Sequence, residues 1–220
     1  MIRLLLDHKA NPLATNVNGE TPVAIAAYNG HTTVVQTLAD HAYNAGCQGE
    51  ADALENALEH AMFQAVRGLS PATVSLLLHK GYFPPLYSSK GRALIMEACQ
   101  VGSSDILQLL LENGGDIEAR YEAGKKLLTV ATSLGNINVL QYLIQQGADV
   151  AAKDDSGKTM VMHLIQNQVV DKTTWDYVLD KKPDLNSRDE LGRTALFHAT
   201  DVGAHATVEM LYRVYKAQRH

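Results

Sequence analysis

Gly91, Gly124, Gly157 and Gly192 each open a similar short phrase, at intervals of 33, 33 and 35 residues. A fixed period near 33 residues constrains the fold more than any other feature of the chain. Such a chain is a row of small supersecondary units, each too small to bury its own apolar face and each covered by its neighbours. Function in such an array lies along a surface rather than in one deep pocket.

The phrase is clearest at Glu20-Thr21-Pro22-Val23-Ala24-Ile25-Ala26-Ala27-Tyr28-Asn29-Gly30-His31. Thr21 is suited to cap a helix, and Pro22 suits the first helical position, where its missing N–H costs nothing. Ala26 and Ala27 are small enough for neighbouring helices to come close. Gly30 ends the short helix, and Val34, Val35 and Leu38 supply the apolar stripe of a second one. The position of Thr21 recurs at His60, Ala93, Lys126, Thr159 and Thr194, and the small pair at Ala65-Val66, Ala98-Cys99, Ala131-Thr132 and Ala199-Thr200. Six extra residues fall between Ala42 and His60; Ala51 to Ala57 is helix-prone, so the next helix is expected to begin early.

These residues resemble the ankyrin repeat, whose phrase runs Gly-x-Thr-Pro-Leu-His-x-Ala-Ala-x-x-Gly-His. Gly114-Gly115-Asp116 and Gly147-Ala148-Asp149 match the family's Gly-Ala-Asp. The resemblance spans essentially the whole chain and implies an all-α solenoid of helix-turn-helix units joined by projecting β-turn loops. The units run as a partial repeat 1–18 followed by 19–57, 58–90, 91–123, 124–156, 157–191 and 192–220. The family proline survives only as Pro22, and its histidine is absent; His163 and His198 lie one residue later. The sixth unit departs furthest, with Leu164-Ile165 in place of the small pair, a lengthened turn over 167–173, and Trp175. The chain opens mid-unit with an apolar helix, which favours a fragment of a longer protein, and it closes on a polar turn over 212–220.

Several kinds of chemistry are disfavoured. Gly157-Lys158-Thr159 ends like a phosphate loop, but the earlier glycine of that motif is replaced by Ala152. The nine histidines lack a third ligand at metal-binding spacing, and no serine is flanked as in a triad, so neither an enzyme nor a metal or other cofactor is expected. Cys99 reads as inert core and Cys47 as exposed. A net charge of −5 argues against nucleic acid as partner, and no apolar run is long enough to span a membrane. A monomer in the cytoplasm, or in a host cytosol if the chain is a secreted bacterial effector, is the expected setting.

The resemblance implies that a partner protein meets the turn tips and the exposed face of the first helices. The candidate partner-binding set is Tyr28, Asn29, Tyr82, Phe83, Tyr87, Lys90, Arg92, Gln100, Tyr121, Lys125, Lys158 and Arg193. Ser89, Lys90 and Arg92, Glu122, Ala123 and Lys125, Asp155, Ser156 and Lys158, and Glu190, Leu191 and Arg193 map to successive turns. Within them Arg92, Lys125, Lys158 and Arg193 form a ladder of positive charge, either a seat for an acidic partner segment or a solvated face. Tyr82-Phe83-Pro84-Pro85-Leu86-Tyr87 is a turn rich in aromatics, either a contact site or a loop folded onto its neighbours. The leading function is a protein-interaction scaffold; the alternative is the regulatory or substrate-recruiting module of a larger enzyme or effector.

Overall fold

The computed structural model describes residues 1–44, 51–121, 124–169 and 171–217. Cys47, the tip residues Glu122 and Ala123, and the last three residues of the closing turn lie outside them. Two compact units divide the chain, Met1–Asp116 and Ile117–His220. Thirteen helices make up the described residues, and the one β-bridge among them is the antiparallel pair Lys153–Thr159.

The first unit holds α1 (Ile2–Asp7), α2 (Pro22–Tyr28), α3 (Thr32–Asn44), α4 (Ala51–Arg67), α5 (Pro71–His79), α6 (Ser89–Val101) and α7 (Ser104–Glu112). Helices α2, α4 and α6 form one layer of neighbours, and α1, α3, α5 and α7 form the other. The layers close over Met62, Leu77, Leu94, Ile95, Ile106, Leu107 and Leu110, all fully buried. Small residues set the spacing. A Cβ on Gly68 would lie 1.8 Å from the Tyr28 carbonyl oxygen, so α2 meets the end of α4 backbone to backbone.

The second unit holds α8 (Leu127–Leu134), α9 (Ile137–Gln145), α10 (Met160–Gln166), α11 (Lys172–Asp180), α12 (Ala195–Asp201) and α13 (His205–Ala217). Here α8, α10 and α12 are successive neighbours, with α9 packed on α8 and α13 on α12. Leu127, Leu140, Leu143, Met160 and Met162 fill the core. Trp175 accommodates the irregular sixth unit: its ring is buried, and its indole N–H donates to the Val169 carbonyl at 2.7 Å, tying down the long turn before α11.

Helices start at the threonine position in α2, α8, α10 and α12, whose N-cap residues are Thr21, Lys126, Thr159 and Thr194; the Thr21 and Thr194 hydroxyls accept the Ala24 and Phe197 N–H groups. That expectation fails for α4 and α6. Helix α4 runs 17 residues from Ala51, through His60, because Ala51 to Ala57 offers strong helix formers and no breaker. Helix α6 begins at Ser89, five residues before the equivalent point would require, because Ser88 captures the Gly91 N–H at 3.1 Å and caps it. Gly91 therefore lies within a helix, whereas Gly124, Gly157 and Gly192 take φ of +65°, +71° and +74° in turns.

Candidate functional site

Two turns of the second unit are each folded around a carboxylate. Asp154 Oδ1 accepts the backbone N–H groups of Ser156 and Lys158, both at 2.9 Å. The Asp154 N–H donates to the Lys158 carbonyl at 3.1 Å, and Gly157 N–H closes on the Asp154 carbonyl at 2.9 Å. Asp189 repeats the arrangement, accepting from Leu191 at 3.0 Å and from Arg193 at 2.8 Å. Asn16 does the same in the first unit, for Asn18 and Glu20. This is the side-chain turn that Asn and Asp favour, because the short acceptor mimics a backbone carbonyl.

The second carboxylate oxygen of each aspartate receives a histidine. His163 Nε2 lies 2.8 Å from Asp154 Oδ2, and His198 Nε2 lies 2.9 Å from Asp189 Oδ2; all four side chains are buried. Burial holds the His163 imidazole below its ordinary pKa, against the pull of Asp154; the nearby charges of Lys125 and Lys158 push in the same direction as burial. The neutral ring then donates its Nε2–H to the carboxylate. Burial works to raise the Asp154 carboxyl, but the Lys158 N–H and His163 outweigh it and hold it low. Burial opposes ionisation of Asp189 too, yet the N–H and guanidinium of Arg193, with His198, lower it to about 2. Within the second unit, consecutive repeats are joined by Gln166, which takes a hydrogen bond from Lys158 Nζ at 3.1 Å and lies 3.2 Å from His198 Nδ1.

Above the first of these pairs is a groove of about 360 Å³, lined by Lys125, Ser133, Asp154, Ser156, Lys158, His163, Gln166 and Asn167. Its only carboxylate, Asp154, is occupied by two N–H groups and an imidazole. The Ser133 hydroxyl donates to its own helix at the Thr129 carbonyl (2.9 Å), and the Asn167 amide to the His163 carbonyl (2.8 Å). Among the described residues, neither Lys125 nor Lys158 forms an ion pair. The lining thus offers two lysines and no exposed carboxylate, and the exposed Asp155 beside it pairs with Arg120 at 3.3 Å. Nor do three His, Cys, Asp or Glu side chains converge as a metal site among those residues.

The other candidate residues fall in several environments. Arg193, at the turn, is held by Asp189, with its Nε 2.9 Å from Oδ2. Tyr121 opens the turn of Lys125, its N–H bonded to the Lys125 carbonyl at 2.9 Å. Ser89, Lys90 and Arg92 are corrected from turn tips to the first residues of α6, for the capping reason given above. The four-step charge ladder therefore reduces to three like turn positions, Lys125, Lys158 and Arg193, and Arg92 is a helix residue of the other unit. Lys90 bridges to Glu59 at 2.6 and 2.7 Å. Tyr28 and Gln100 are exposed on α2 and α6, and the Asn29 amide caps α2 at the Ile25 carbonyl (2.8 Å). In the aromatic turn, Tyr82 donates to Asp40 at 3.3 Å and Phe83 meets the ring of Phe63 edge-on at 6.1 Å, while Tyr87 is 75% exposed.

The sequence reading missed the aspartate–histidine pairs. The signal was present: in both copies the aspartate stands three residues before the glycine and nine before the histidine.

Comparison with known proteins agrees with this geometry. The sequence profile of ankyrin repeats matches three times, over residues 1–83, 62–154 and 128–218. Among solved structures, the chain is similar to the ankyrin repeat domain of Bcl-3, described as a unique member of the IkappaB protein family. The two share 27% identity and superpose with a TM-score of 0.70, covering 89% of this chain and 86% of that one. No curated protein sequence matches the chain. Among the described residues no helix is long and apolar enough to cross a membrane. The protein belongs to the ankyrin repeat family and is, at that level, a module for protein–protein interaction.

Proposed function

We propose that the second unit receives an acidic segment of a partner protein in the groove between Lys125 and Lys158. One observation carries this reading: two lysines stand over a groove whose only carboxylate is turned inward and fully hydrogen-bonded. A carboxylate entering from a partner meets two cations partly withdrawn from water, where ion pairs are screened less than on an open surface. Ser156 at the tip and Gln166 on the helix add neutral polar groups to set register. Arg193 contributes less, since Asp189 already neutralises it.

Selection of a random displayed peptide library on the protein tests this. Peptides recovered with the native chain should be enriched in Asp and Glu, and the enrichment should vanish with the Lys125→Glu/Lys158→Glu variant. Peptides of the same acidity recovered from both would reject the proposal.

A further inference from the structure

In the first unit the turn after α5 carries Pro84-Pro85-Leu86-Tyr87, two prolines followed by a tyrosine two places on. Proline fixes its own φ and disfavours the helical region for the residue before it, so Phe83 and Pro84 are held extended. The chain then turns at once. The Ser88 N–H closes on the Pro85 carbonyl at 2.9 Å, and Ser88 caps α6.

The turn is clamped from one side and open on the other. Leu86 is 4% exposed, and its backbone is seated on α6 so closely that a Cβ on Gly91 would lie 2.3 Å from its Cα. Phe83 rests on Phe63, and Tyr82 is bonded to Asp40. Facing outward are Pro85 and the ring of Tyr87, with Pro84 half-exposed. The flanking lysines are already engaged, Lys80 with Asp40 at 2.9 Å and Lys90 with Glu59. What the turn offers a partner is therefore proline and tyrosine rather than charge.

We propose that this turn docks a small proline-reading domain of the WW type. Such domains lay an extended proline segment across exposed aromatic rings. Here the ring faces of Pro84 and Pro85 would stack on those aromatics, and Tyr87 would enter the pocket beside them. The spacing separates this from other proline readers. No second proline stands three residues after Pro84, where the Pro-x-x-Pro pattern needs one; Tyr87 stands there instead. The clamps on Tyr82, Phe83, Leu86 and Ser88 fix the turn before binding, so little conformational entropy remains to be lost on docking. This site shares no residue with the lysine groove and stands or falls separately from it.

Calorimetric titration of the full chain with an isolated WW domain that binds Pro-Pro-x-Tyr peptides tests the assignment. The native chain should bind one to one with a micromolar Kd. Tyr87→Ala should weaken binding at least about tenfold, as loss of an aromatic anchor does. Its thermal unfolding should be unchanged, because the ring is exposed; Pro85→Ala should also weaken binding, and Lys125→Ala/Lys158→Ala should bind as the native chain does. Absence of binding by the native chain, with a control peptide still binding the same domain, would overturn the proposal. So would binding that survives Tyr87→Ala.

Discussion

The same three-letter phrase, glycine followed by a basic residue and a helix position, builds two local structures in the two units. In the second, Gly157-Lys158-Thr159 and Gly192-Arg193-Thr194 close turns wound about Asp154 and Asp189. In the first, Gly91-Arg92-Ala93 lies inside α6. Three places before the glycine stand Asp154 and Asp189 in these two turns and Ser88 in the helix, while the Gly124 turn closes on the backbone bonds of Tyr121, which stands in that place. An aspartate has two acceptor oxygens, so it can gather two N–H groups into a turn and still hold a histidine. Ser88 has one hydroxyl, which takes the Gly91 N–H and starts a helix. Repeat period fixes where units fall; at Gly91 a single capping atom, Ser88 Oγ, turns the junction into helix.

Paired substitutions at Gly91 and Gly192 would give the largest contrast. At Gly91 a Cβ collides with the backbone of Leu86, so Gly91→Ala forces the turn and α6 apart and should cost about 3 kcal/mol. At Gly192 nothing lies within 4 Å of the new Cβ, and only the left-handed φ of +74° opposes it. Gly192→Ala should therefore cost about 1 kcal/mol. Urea denaturation of the two variants measures both, and equal losses would break the distinction between helix glycine and turn glycine.

Acid should act on the aspartate–histidine turns of the second unit. His163 has a folded pKa below its unfolded value of 6.5, so the unfolded chain binds the extra proton more readily. Its contribution is complete above pH 6.5 and is lost as pH falls from there through the folded pKa. Asp154 and Asp189 are also lowered, so theirs is present above about pH 3.8 and lost below it, down to about 2 for Asp189. The melting temperature should fall in two stages on acidification. His163→Gln should remove the first stage; a variant that keeps it would place the titration elsewhere.

The smallest expected contrast tests the reduced charge ladder. Arg193→Ala should cost about 1 kcal/mol, since it strips a charged hydrogen bond from buried Asp189. Arg92→Ala, exposed on α6, should change stability by less than about 0.5 kcal/mol. Similar losses in thermal melts would restore the two residues to one class.

Much of the architecture was legible in the chain because its signals are local and repeated. The small pairs Ala65-Val66, Ala98-Cys99 and Ala131-Thr132 are buried as their pattern implied, and Ala51 to Ala57 began α4 early. What escaped depends on contacts between residues distant in the sequence or on competition between local choices. Gly91 carries the ladder's letter, but a turn there gave way to the cap at Ser88 and the close seat of Leu86. For the turn of Tyr82 and Phe83 the sequence left a contact site and a folded-back loop both open, because their partners Asp40 and Phe63 stand far back in the chain. The histidines stood out as departures from the family phrase; only the fold showed that each departure faces its own aspartate.

The inward-turned carboxylate of Asp189 has a consequence for how such a chain varies over generations. Every hydrogen bond described here for that turn comes from Asp189, from the backbone or from Arg193, and none uses the side chains of Glu190 or Leu191. Ser156 occupies the same relation to Asp154, contributing only its backbone. The loop's shape is thus inherited independently of its outermost letters. Mutations at those tips can rewrite what the surface recognises while leaving the body beneath them unaltered.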